Sequence, residues 1–276
     1  MTENIQAVYQ GCFKDLNEIK VSPMSRAYLF SDSIYEVIPF QNRKLICPQE
    51  HFRRLSHSAS ELKIIIDIQK VQEEVSHLFN NSSHEDGYIY YQISRGVDDI
   101  RSHIYSPNIS NETFGYLTPI KFLSKSLKVG ICEDIRWGRC DIKTTSLLGN
   151  VMQMNNFNNQ NCDEIIMHRN NIITEGGASN IFFVIDKTIY TPKLSKNILP
   201  GITRDLLIDL IKENKISFEE GDFLIDDLTK ASSIWFTSST KGIADVTEVI
   251  DFNINLDPNN ELLKKCKDLY NLKISN

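Results

Sequence analysis

The sequence predicts an α/β protein of two domains. A chain of 276 residues is long enough to bury two modest hydrophobic cores. Hydrophobic residues make up 41% of it and charged residues 24%, which is typical of an ordered globular protein. Short runs of β-branched and aromatic residues alternate with stretches whose apolar residues recur at helical spacing. The boundary is predicted near residue 120, between a smaller domain over residues 1–120 and a larger one over residues 121–276.

The first domain is predicted to contain at least two strands and a helix. Tyr35–Phe40 and Tyr88–Ser94 are dominated by aromatic and β-branched residues, which favour strands, and the second run is apolar enough to be buried. Between them, Gln49–Leu62 repeats its apolar residues at helical spacing. The order along this part of the chain is therefore strand, helix, strand.

The second domain is predicted to start near Lys121–Ile131 and to contain a hairpin. Glu164–His168 and Asn180–Asp186 are strand-like and flank the turn residues Asn170–Asn171. A Pro-Gly pair then breaks the chain before Thr203–Ile211, whose leucine and isoleucine residues have helical spacing. Ile234–Phe236 is predicted as a further short strand that runs into a hydroxyl-rich segment.

Composition and charge exclude several classes of protein. Lys and Arg total 30 against 36 for Asp and Glu, and nucleic-acid binding needs clustered positive charge, so no nucleic-acid partner is predicted. No apolar run approaches the roughly 20 residues that span a bilayer, so no membrane partner is predicted either. Met1–Asp15 is polar and lacks the basic start and apolar stretch of a signal peptide. Because the cysteines are scattered and form no CxxC pair, we expect reduced thiols and a cytoplasmic protein.

Motifs of several other enzyme classes are missing. GxGxxG, the Walker loop and HExxH do not occur in the sequence. The histidines form no cluster with metal-ligand spacing, so no metal is predicted. Ser238–Lys241 matches SxxK by letter, but the companion β-lactamase motifs are missing and the match is attributed to chance.

The informative region runs from Arg136 to Arg204. It contains RWGRCDIKTTSLLGN, RNNIITEGGASNIFFV and TPKLSKNILPGITRDLL, and the first half of the chain adds AYLFSDSIYEV, QEHFRRL and SRGVDDIRSH. In order and spacing these segments resemble the fold-type IV pyridoxal-5′-phosphate (PLP) enzymes: D-amino-acid transaminases, branched-chain aminotransferases and aminodeoxychorismate lyases. The resemblance covers most of the chain and is strongest to the D-amino-acid transaminases. It implies a PLP-dependent transferase with the two-domain fold of that family, acting as a homodimer.

The resemblance assigns the two residues that carry the cofactor chemistry. Lys143, in the segment Asp141-Ile142-Lys143-Thr144, matches the family lysine that forms a Schiff base with PLP and later moves a proton. Glu175 matches the acidic partner of the pyridine nitrogen. A carboxylate there keeps the nitrogen protonated, so that the ring can draw electrons from the substrate α-carbon. On this assignment the lysine belongs to the larger, C-terminal domain.

The cofactor phosphate needs backbone donors and positive charge. Gly201-Ile202-Thr203 is predicted to open a helix, whose free amides and dipole would face an anion. A guanidinium suits bidentate contact with the same anion, and Arg54 matches the family arginine better than its neighbour Arg53. By resemblance, Leu199 supports the ring. The phosphate cup consists, also by resemblance, of Arg54, Ile202, Thr203, Ser239 and Thr240.

Substrate choice is assigned to a second set of residues. D-amino-acid transaminases hold the substrate α-carboxylate with a tyrosine, an arginine and a histidine, and Tyr35, Arg101 and His103 match them. An arginine–carboxylate contact is directional, so it can decide which face of the α-carbon meets Lys143. Arg101-Ser102-His103 is the segment that most separates this sequence from branched-chain relatives.

Three segments depart from the family pattern. Ser31-Asp32-Ser33 stands where Gly-Asp-Gly is usual, which removes backbone freedom at that turn. The stretch between Arg95-Gly96 and Arg101 is one residue longer than usual, and Lys241-Gly242-Ile243 replaces Ser-Glu-Ile. These departures bear on substrate range more than on the chemistry of Lys143 and Glu175.

The predicted reaction is transamination between D-alanine and 2-oxoglutarate, which gives pyruvate and D-glutamate. Three alternatives stay open. A branched-chain L-amino-acid aminotransferase would share Lys143 and Glu175 but lack the carboxylate trap. An aminodeoxychorismate lyase would use the same cofactor for a different class of reaction, and a PLP-binding protein without turnover would not be an enzyme.

Overall fold

The computed structural model describes residues 5–122, 126–254, 256–257 and 259–275. The start of the polar segment Met1–Asp15 thus lies outside the described residues. Contacts divide the chain into two compact units: unit 1 is Met1–Lys121 with Ile142–Ser146, and unit 2 is Phe122–Asp141 with Leu147–Asn276. The domain boundary near residue 120 stays a prediction.

Unit 1 is built on an antiparallel sheet whose six described strands have the order β2-β1-β6-β5-β3-β4. The strands are β1 (Gln6–Tyr9), β2 (Cys12–Asp15), β3 (Ser33–Gln41), β4 (Lys44–Leu45), β5 (Gly87–Ser94) and β6 (Glu112–Pro119). The helices are α1 (Arg26–Phe30), α2 (Pro48–Glu61) and α3 (Ile68–Asn80), with a 3-10 turn at Leu16–Glu18. The predicted strands at Tyr35–Phe40 and Tyr88–Ser94 and the predicted helix at Gln49–Leu62 are confirmed.

The core of unit 1 forms where α2 and α3 pack against the sheet. Side chains of a strand alternate between the two faces, so every second residue of β3 and β5 points to the same side. Ile38 and Ile89 are buried there together with Leu55 of α2 and Val75 of α3. The intervening Tyr88, Tyr90 and Gln92 of β5 are only half-buried, so that strand covers the core mainly with one face.

Unit 2 contains a sheet whose eight described strands have the order β12-β11-β10-β13-β14-β7-β8-β9. The strands are β7 (Leu127–Glu133), β8 (Glu164–Arg169), β9 (Ile172–Gly176), β10 (Asn180–Ile185), β11 (Thr188–Pro192), β12 (Phe218–Gly221), β13 (Ser233–Ser238) and β14 (Gly242–Val249). The helices are α4 (Leu148–Asn158), α5 (Ile202–Glu213) and α6 (Glu261–Ser275), with a 3-10 helix at Ile225–Lys230. The predicted helix at Thr203–Ile211 and the predicted strand at Ile234–Phe236 are confirmed.

Two parallel strand pairs of this sheet are joined through helices. α4 connects β7 to β8, and α5 connects β11 to β12, as parallel neighbours require a long crossover. On one face, α5 and α6 pack over Trp235 of β13 through Leu207 and Cys266. A second cluster of buried side chains includes Ile166, Ile181 and Phe236. Among the described residues of the whole chain, no helix is both long and apolar enough to cross a membrane.

The predicted hairpin between Glu164–His168 and Asn180–Asp186 is wrong. Both segments are strands, β8 and β10, but β8 pairs with β9, a strand missing from the prediction, and β10 pairs with β13. Asn170 and Asn171, with φ of 50° and 65°, form the tight turn of that β8–β9 hairpin. β9 is a five-residue strand that contains Glu175, and so short and polar a run lacks the alternating pattern that predicts a strand.

Candidate functional site

Lys143 is attached to unit 1 by its backbone. The amide of Tyr35 in β3 donates to the Lys143 carbonyl over 3.1 Å, and the Lys143 amide donates to Ser58 Oγ over 3.2 Å. A bridge between Ile34 and Thr144 continues the pairing. The half-buried Lys143 side chain places Nζ 4.2 Å from the centroid of the Tyr35 ring. The structure therefore brings together two residues that the sequence assigned to different roles.

Arg54 lies in a buried group that we call the Glu36 cluster: Glu36, His51 and Arg54. Arg54 Nε and Nη2 each donate to the Glu36 carboxylate over 2.8 Å, and His51 Nδ1 lies 2.6 Å from the same carboxylate. Burial alone would raise the pKa of Glu36, but Arg54 and His51 outweigh it and hold that pKa well below its usual range. Burial lowers the pKa of His51, although Glu36 opposes this shift. The carboxylate therefore stays charged and fixes the orientation of Arg54.

Arg101 and His103 lie on the exposed loop between β5 and β6. Both contact Phe30 of α1: Arg101 Cζ is 4.8 Å from the ring centroid, and the His103 ring is 5.4 Å away, centroid to centroid. Tyr35, the third predicted carboxylate ligand, stacks instead on Tyr90 at 5.5 Å. Phe30 thus unites two of the three predicted substrate residues.

Glu175 belongs to a second buried group, the Glu175 cluster: Asp134, Arg136, Glu175 and Asn180. Arg136 Nη1 donates to Glu175 Oε1, and Asn180 Nδ2 donates to Oε2 over 2.9 Å. The Nε and Nη2 atoms of Arg136 bind Asp134 at 2.9 and 2.8 Å. Burial raises the pKa of Glu175 to about 7 although Arg136 acts to lower it.

The start of α5 is joined to the Glu175 cluster through backbone atoms. The Leu199 amide donates to both Glu175 oxygens over 3.2 Å, and Asn180 Nδ2 donates to the Leu199 carbonyl over 3.0 Å. Gly201 caps the helix, and a Cβ atom there would lie 2.0 Å from Asn180 Oδ1. A side chain at Gly201 would therefore displace Asn180. Ile202 and Thr203 follow as the first buried residues of the helix.

Ser239 and Thr240 lie half-buried in the tight turn between β13 and β14. The turn is held by its neighbour Lys241, whose amide donates to Ser238 Oγ over 3.2 Å and whose Nζ binds Glu164 over 2.7 Å. Just before the turn, Thr237 Oγ1 is buried without a hydrogen-bond partner among the described residues. The departure at Lys241 thus adds an ion pair beside the two predicted phosphate ligands.

Sequence reasoning missed several residues that hold the predicted ones. Glu36 left a signal, since a charged residue inside the strand-like YEVIPF indicates a buried ion pair. Arg136 stands in a motif that carried the resemblance but received no role. Ser58 and Asn180 left no signal, because their contacts to Lys143 and Glu175 depend on tertiary structure.

Comparison with known proteins gives the family. Residues 33–249 match the family described as amino-transferase class IV. The chain belongs to this family. It is 36% identical over 247 residues to a D-alanine aminotransferase of Staphylococcus haemolyticus, with 87% of this chain and 86% of that protein covered. The resemblance to this family is confirmed, and so is the prediction that the protein is an aminotransferase.

Solved structures show the same fold. A branched-chain aminotransferase from Thermoproteus uzoniensis, crystallised with norvaline, superposes with a TM-score of 0.90 at 20% identity, over 98% of this chain and 95% of that one. A branched-chain amino acid aminotransferase of Escherichia coli gives a TM-score of 0.88 at 21% identity, over 96% and 93% of the two chains. The predicted fold-type IV α/β fold is confirmed.

Enzymes of this family use PLP, and the residues of this chain fit that cofactor. Lys143 offers a half-buried primary amine, and Glu175 offers a buried carboxyl group whose pKa burial raises. The first turn of α5 offers backbone amides without helical partners, and Thr237 offers a hydroxyl without a partner among the described residues. An amine, an acid and anion donors are the groups that an aldehyde, a pyridine nitrogen and a phosphate require.

Proposed function

We propose that this aminotransferase moves the amino group of a D-amino acid, D-alanine first, to 2-oxoglutarate, with pyruvate and D-glutamate as products. The observation that carries the proposal is the meeting of Arg101 and His103 at Phe30. The relationship to D-alanine aminotransferases supports the same choice of substrate.

We propose that Lys143 and Glu175 hold the two reactive ends of PLP, the aldehyde and the pyridine nitrogen. When bound, PLP supplies an electron sink for the substrate α-carbon. Glu175 would hold a proton on the ring nitrogen, and a positive nitrogen would in turn lower the pKa of Glu175 from about 7. The phosphate would be bound by Arg54, Ile202, Thr203, Ser239 and Thr240, and Leu199 would support the ring.

Lys143 is proposed to act twice. Its Nζ holds the cofactor before substrate arrives and, once released, removes the proton of the substrate α-carbon. The Tyr35 ring, 4.2 Å from Nζ, packs beside the amine and limits where it can move. Ser58 supports the backbone at the same residue. A base whose backbone and side chain are both held loses little entropy on reaching its geometry.

Arg101 and His103 are proposed to bind the substrate carboxylate, with Tyr35 as a third ligand. A guanidinium binds a carboxylate through two parallel hydrogen bonds and so fixes its plane. With the carboxylate fixed, one hand of the substrate presents its α-proton to Lys143 and the other presents it away. The handedness of the reaction would then depend on where the loop between β5 and β6 lies.

A branched-chain L-amino-acid aminotransferase is the second candidate, because solved enzymes of that activity share the fold at 20% identity. It would keep the proposed roles of Lys143 and Glu175 and remove those of Arg101 and His103. We further propose a homodimer, on the family resemblance, to be checked by light scattering of the purified protein. The cytoplasmic location stays a prediction.

The test uses purified protein reconstituted with PLP. D-Alanine, L-alanine and L-leucine are each offered with 2-oxoglutarate, and the oxo-acid products are followed. We expect pyruvate from D-alanine alone, with Lys143→Ala slower by at least about 10³-fold because both a nucleophile and a base are lost. Lys193→Ala is the matched control, since Lys193 is exposed and forms a surface ion pair with Asp222.

Each outcome separates one activity from the others. Turnover of L-leucine in place of D-alanine would favour the branched-chain activity. PLP absorbance without turnover of any amino acid would indicate a binding protein. A Lys143→Ala variant as active as the wild type would overturn the role of Lys143.

A further inference from the structure

The loop between β5 and β6 needs support from outside itself. It runs from Arg95 to Asn111, has no regular secondary structure, and is mostly exposed from Arg101 onward. A loop of this length keeps one conformation only where side chains tie its backbone to the body of the protein. Because this loop carries Arg101 and His103, whatever holds it also places the proposed carboxylate ligands.

Arg26 of α1 makes that connection. Its Nη1 donates to the Ser102 carbonyl over 2.7 Å, and its Nη2 donates to the His103 carbonyl over 3.3 Å. These are backbone atoms of the two residues that follow Arg101. Arg26 is only 4% exposed, so the guanidinium side of these contacts is shielded from water and from salt.

Two aspartates complete the arrangement around Arg26. Its Nη1 lies 3.3 Å from Asp98 within the loop, and its Nε donates to Asp32 over 2.9 Å. Asp98 closes the loop on itself by accepting from Ser106 Oγ over 2.5 Å. Arg95 holds Asp32 from the other side over 2.7 Å. The Arg26 guanidinium is therefore hydrogen-bonded to the loop at Asp98 and at residues 102–103, and to Asp32 just before β3.

The aromatic ring of Phe30 adds a second connection between Arg26 and Arg101. The Cζ atoms of Arg26 and Arg101 lie 4.7 and 4.8 Å from the centroid of the same Phe30 ring. Phe30 lies at the end of α1, where Ser31 takes a left-handed φ of 53°. The departure from glycine at Ser31 thus leaves the turn intact, and the chain still reaches Asp32 beside Arg26.

We propose that Arg26 is a positioning residue that sets where Arg101 and His103 meet the substrate carboxylate. Through them it sets which hand of amino acid is accepted. The inference rests on the proposed function, because only an α-carboxylate ligand on this loop makes its position matter for substrate choice. Arg26 itself does not touch the substrate in this assignment.

The test compares Arg26→Met and Arg26→Lys with a matched arginine variant. Arg43→Met is the control, because Arg43 also donates to loop carbonyls, those of Ser82 and His84, and lies 5.0 Å from the Phe79 ring. That loop carries no predicted site residue. A general loss of loop anchoring would affect both variants, whereas a role in substrate binding would appear only at Arg26.

Kinetics are measured with the amino acid that the wild type uses best. For Arg26→Met we expect kcat/KM about 10²-fold lower, mostly through a higher KM, since a displacement near 1 Å costs about that much. The preference for one hand should fall by about tenfold, and PLP absorbance should stay unchanged. Arg26→Lys should recover part of the loss because it keeps the charge and one carbonyl contact.

A second variant guards against an Arg26→Met protein that fails to fold. Asp98→Asn keeps the loop sequence otherwise intact and weakens the same connection, so it should raise KM several-fold. Amide exchange over residues 98–106, which needs no substrate, should become faster in either variant and unchanged in Arg43→Met.

The two proposals fail in different ways. A wild type that turns over none of the amino acids offered would overturn the proposed function, and the exchange measurement would then judge Arg26 alone. If Arg26→Met and Asp98→Asn match the wild type in KM, in preference for hand and in exchange, the positioning role of Arg26 is overturned.

Discussion

Two buried carboxylates of this aminotransferase, Glu36 in unit 1 and Glu175 in unit 2, are each paired with an arginine, yet their pKa values move in opposite directions. Arg54 gives two nitrogens to Glu36, and His51 binds the same carboxylate. Arg136 gives one nitrogen to Glu175 and two to Asp134. The pKa of Glu36 is lowered in spite of burial, and burial raises that of Glu175 to about 7.

The difference shows that the charge state of a buried carboxylate depends on how many nitrogens of the guanidinium it receives, more than on whether an arginine is nearby. A carboxylate that receives two nitrogens from one guanidinium recovers the cost of its burial. Where one guanidinium serves two carboxylates, burial prevails for the carboxylate that receives the smaller share. The Glu36 cluster is therefore suited to holding Arg54 rigidly, and the Glu175 cluster is suited to responding to a positive group brought by a ligand.

The largest expected effect comes from breaking the first cluster. Glu36→Gln leaves the buried Arg54 guanidinium without its carboxylate, which should lower the free energy of unfolding by about 3–5 kcal/mol. Urea unfolding measures the change. Glu50→Gln, at the exposed Arg53 pair, is the control and should cost less than about 1 kcal/mol. Equal losses of unfolding free energy in the two variants would show that burial does not make the Glu36–Arg54 pair more important for stability than the exposed Glu50–Arg53 pair.

An effect of intermediate size concerns pH, because the two carboxylates contribute to the stability of the folded state with opposite pH dependence. The folded-state pKa of Glu175 is raised from 4.5 to about 7, so its contribution favours the folded state below pH 4.5 and is lost as pH rises to about 7. The shift corresponds to about 3 kcal/mol. For Glu36 the pKa is lowered from 4.5, so its contribution is present above pH 4.5 and is lost as pH falls.

Urea unfolding of PLP-free protein between pH 3 and pH 8 tests these signs. The stability of the wild type relative to Glu175→Gln should decline with rising pH between about 4.5 and 7 and stay constant above. Relative to Glu36→Gln, it should instead decline as pH falls below 4.5. A flat difference curve for Glu175→Gln would mean that its carboxyl group titrates as in the unfolded chain.

The smallest effect sharpens the comparison between neighbouring arginines. The Arg53 side chain is 74% exposed and bridges Glu50, so Arg53→Ala should change stability by less than about 0.5 kcal/mol and leave PLP affinity unchanged. Arg54→Ala should weaken PLP binding, measured by titrating PLP-free protein with cofactor. Weaker PLP binding in Arg53→Ala would reverse the choice between the two.

Much of the fold could be predicted where one element carries its own pattern. The strands β3, β5 and β13 and the helices α2 and α5 follow from β-branched and apolar spacing within single segments. The pairing of strands could not be predicted in the same way, and β8 was given the wrong partner. Pairing depends on residues far apart in the chain, for which local spacing contains no information.

The sequence by itself determined the family, the fold class and the candidates Lys143 and Glu175, because those rest on motifs whose order survives in a linear string. Tertiary structure alone decided what surrounds them. Arg136 is shared between two carboxylates, and Arg26 reaches carbonyls 76 and 77 residues further along the chain. Charge states and loop positions arise from burial and distance, and both exist only once the chain has folded.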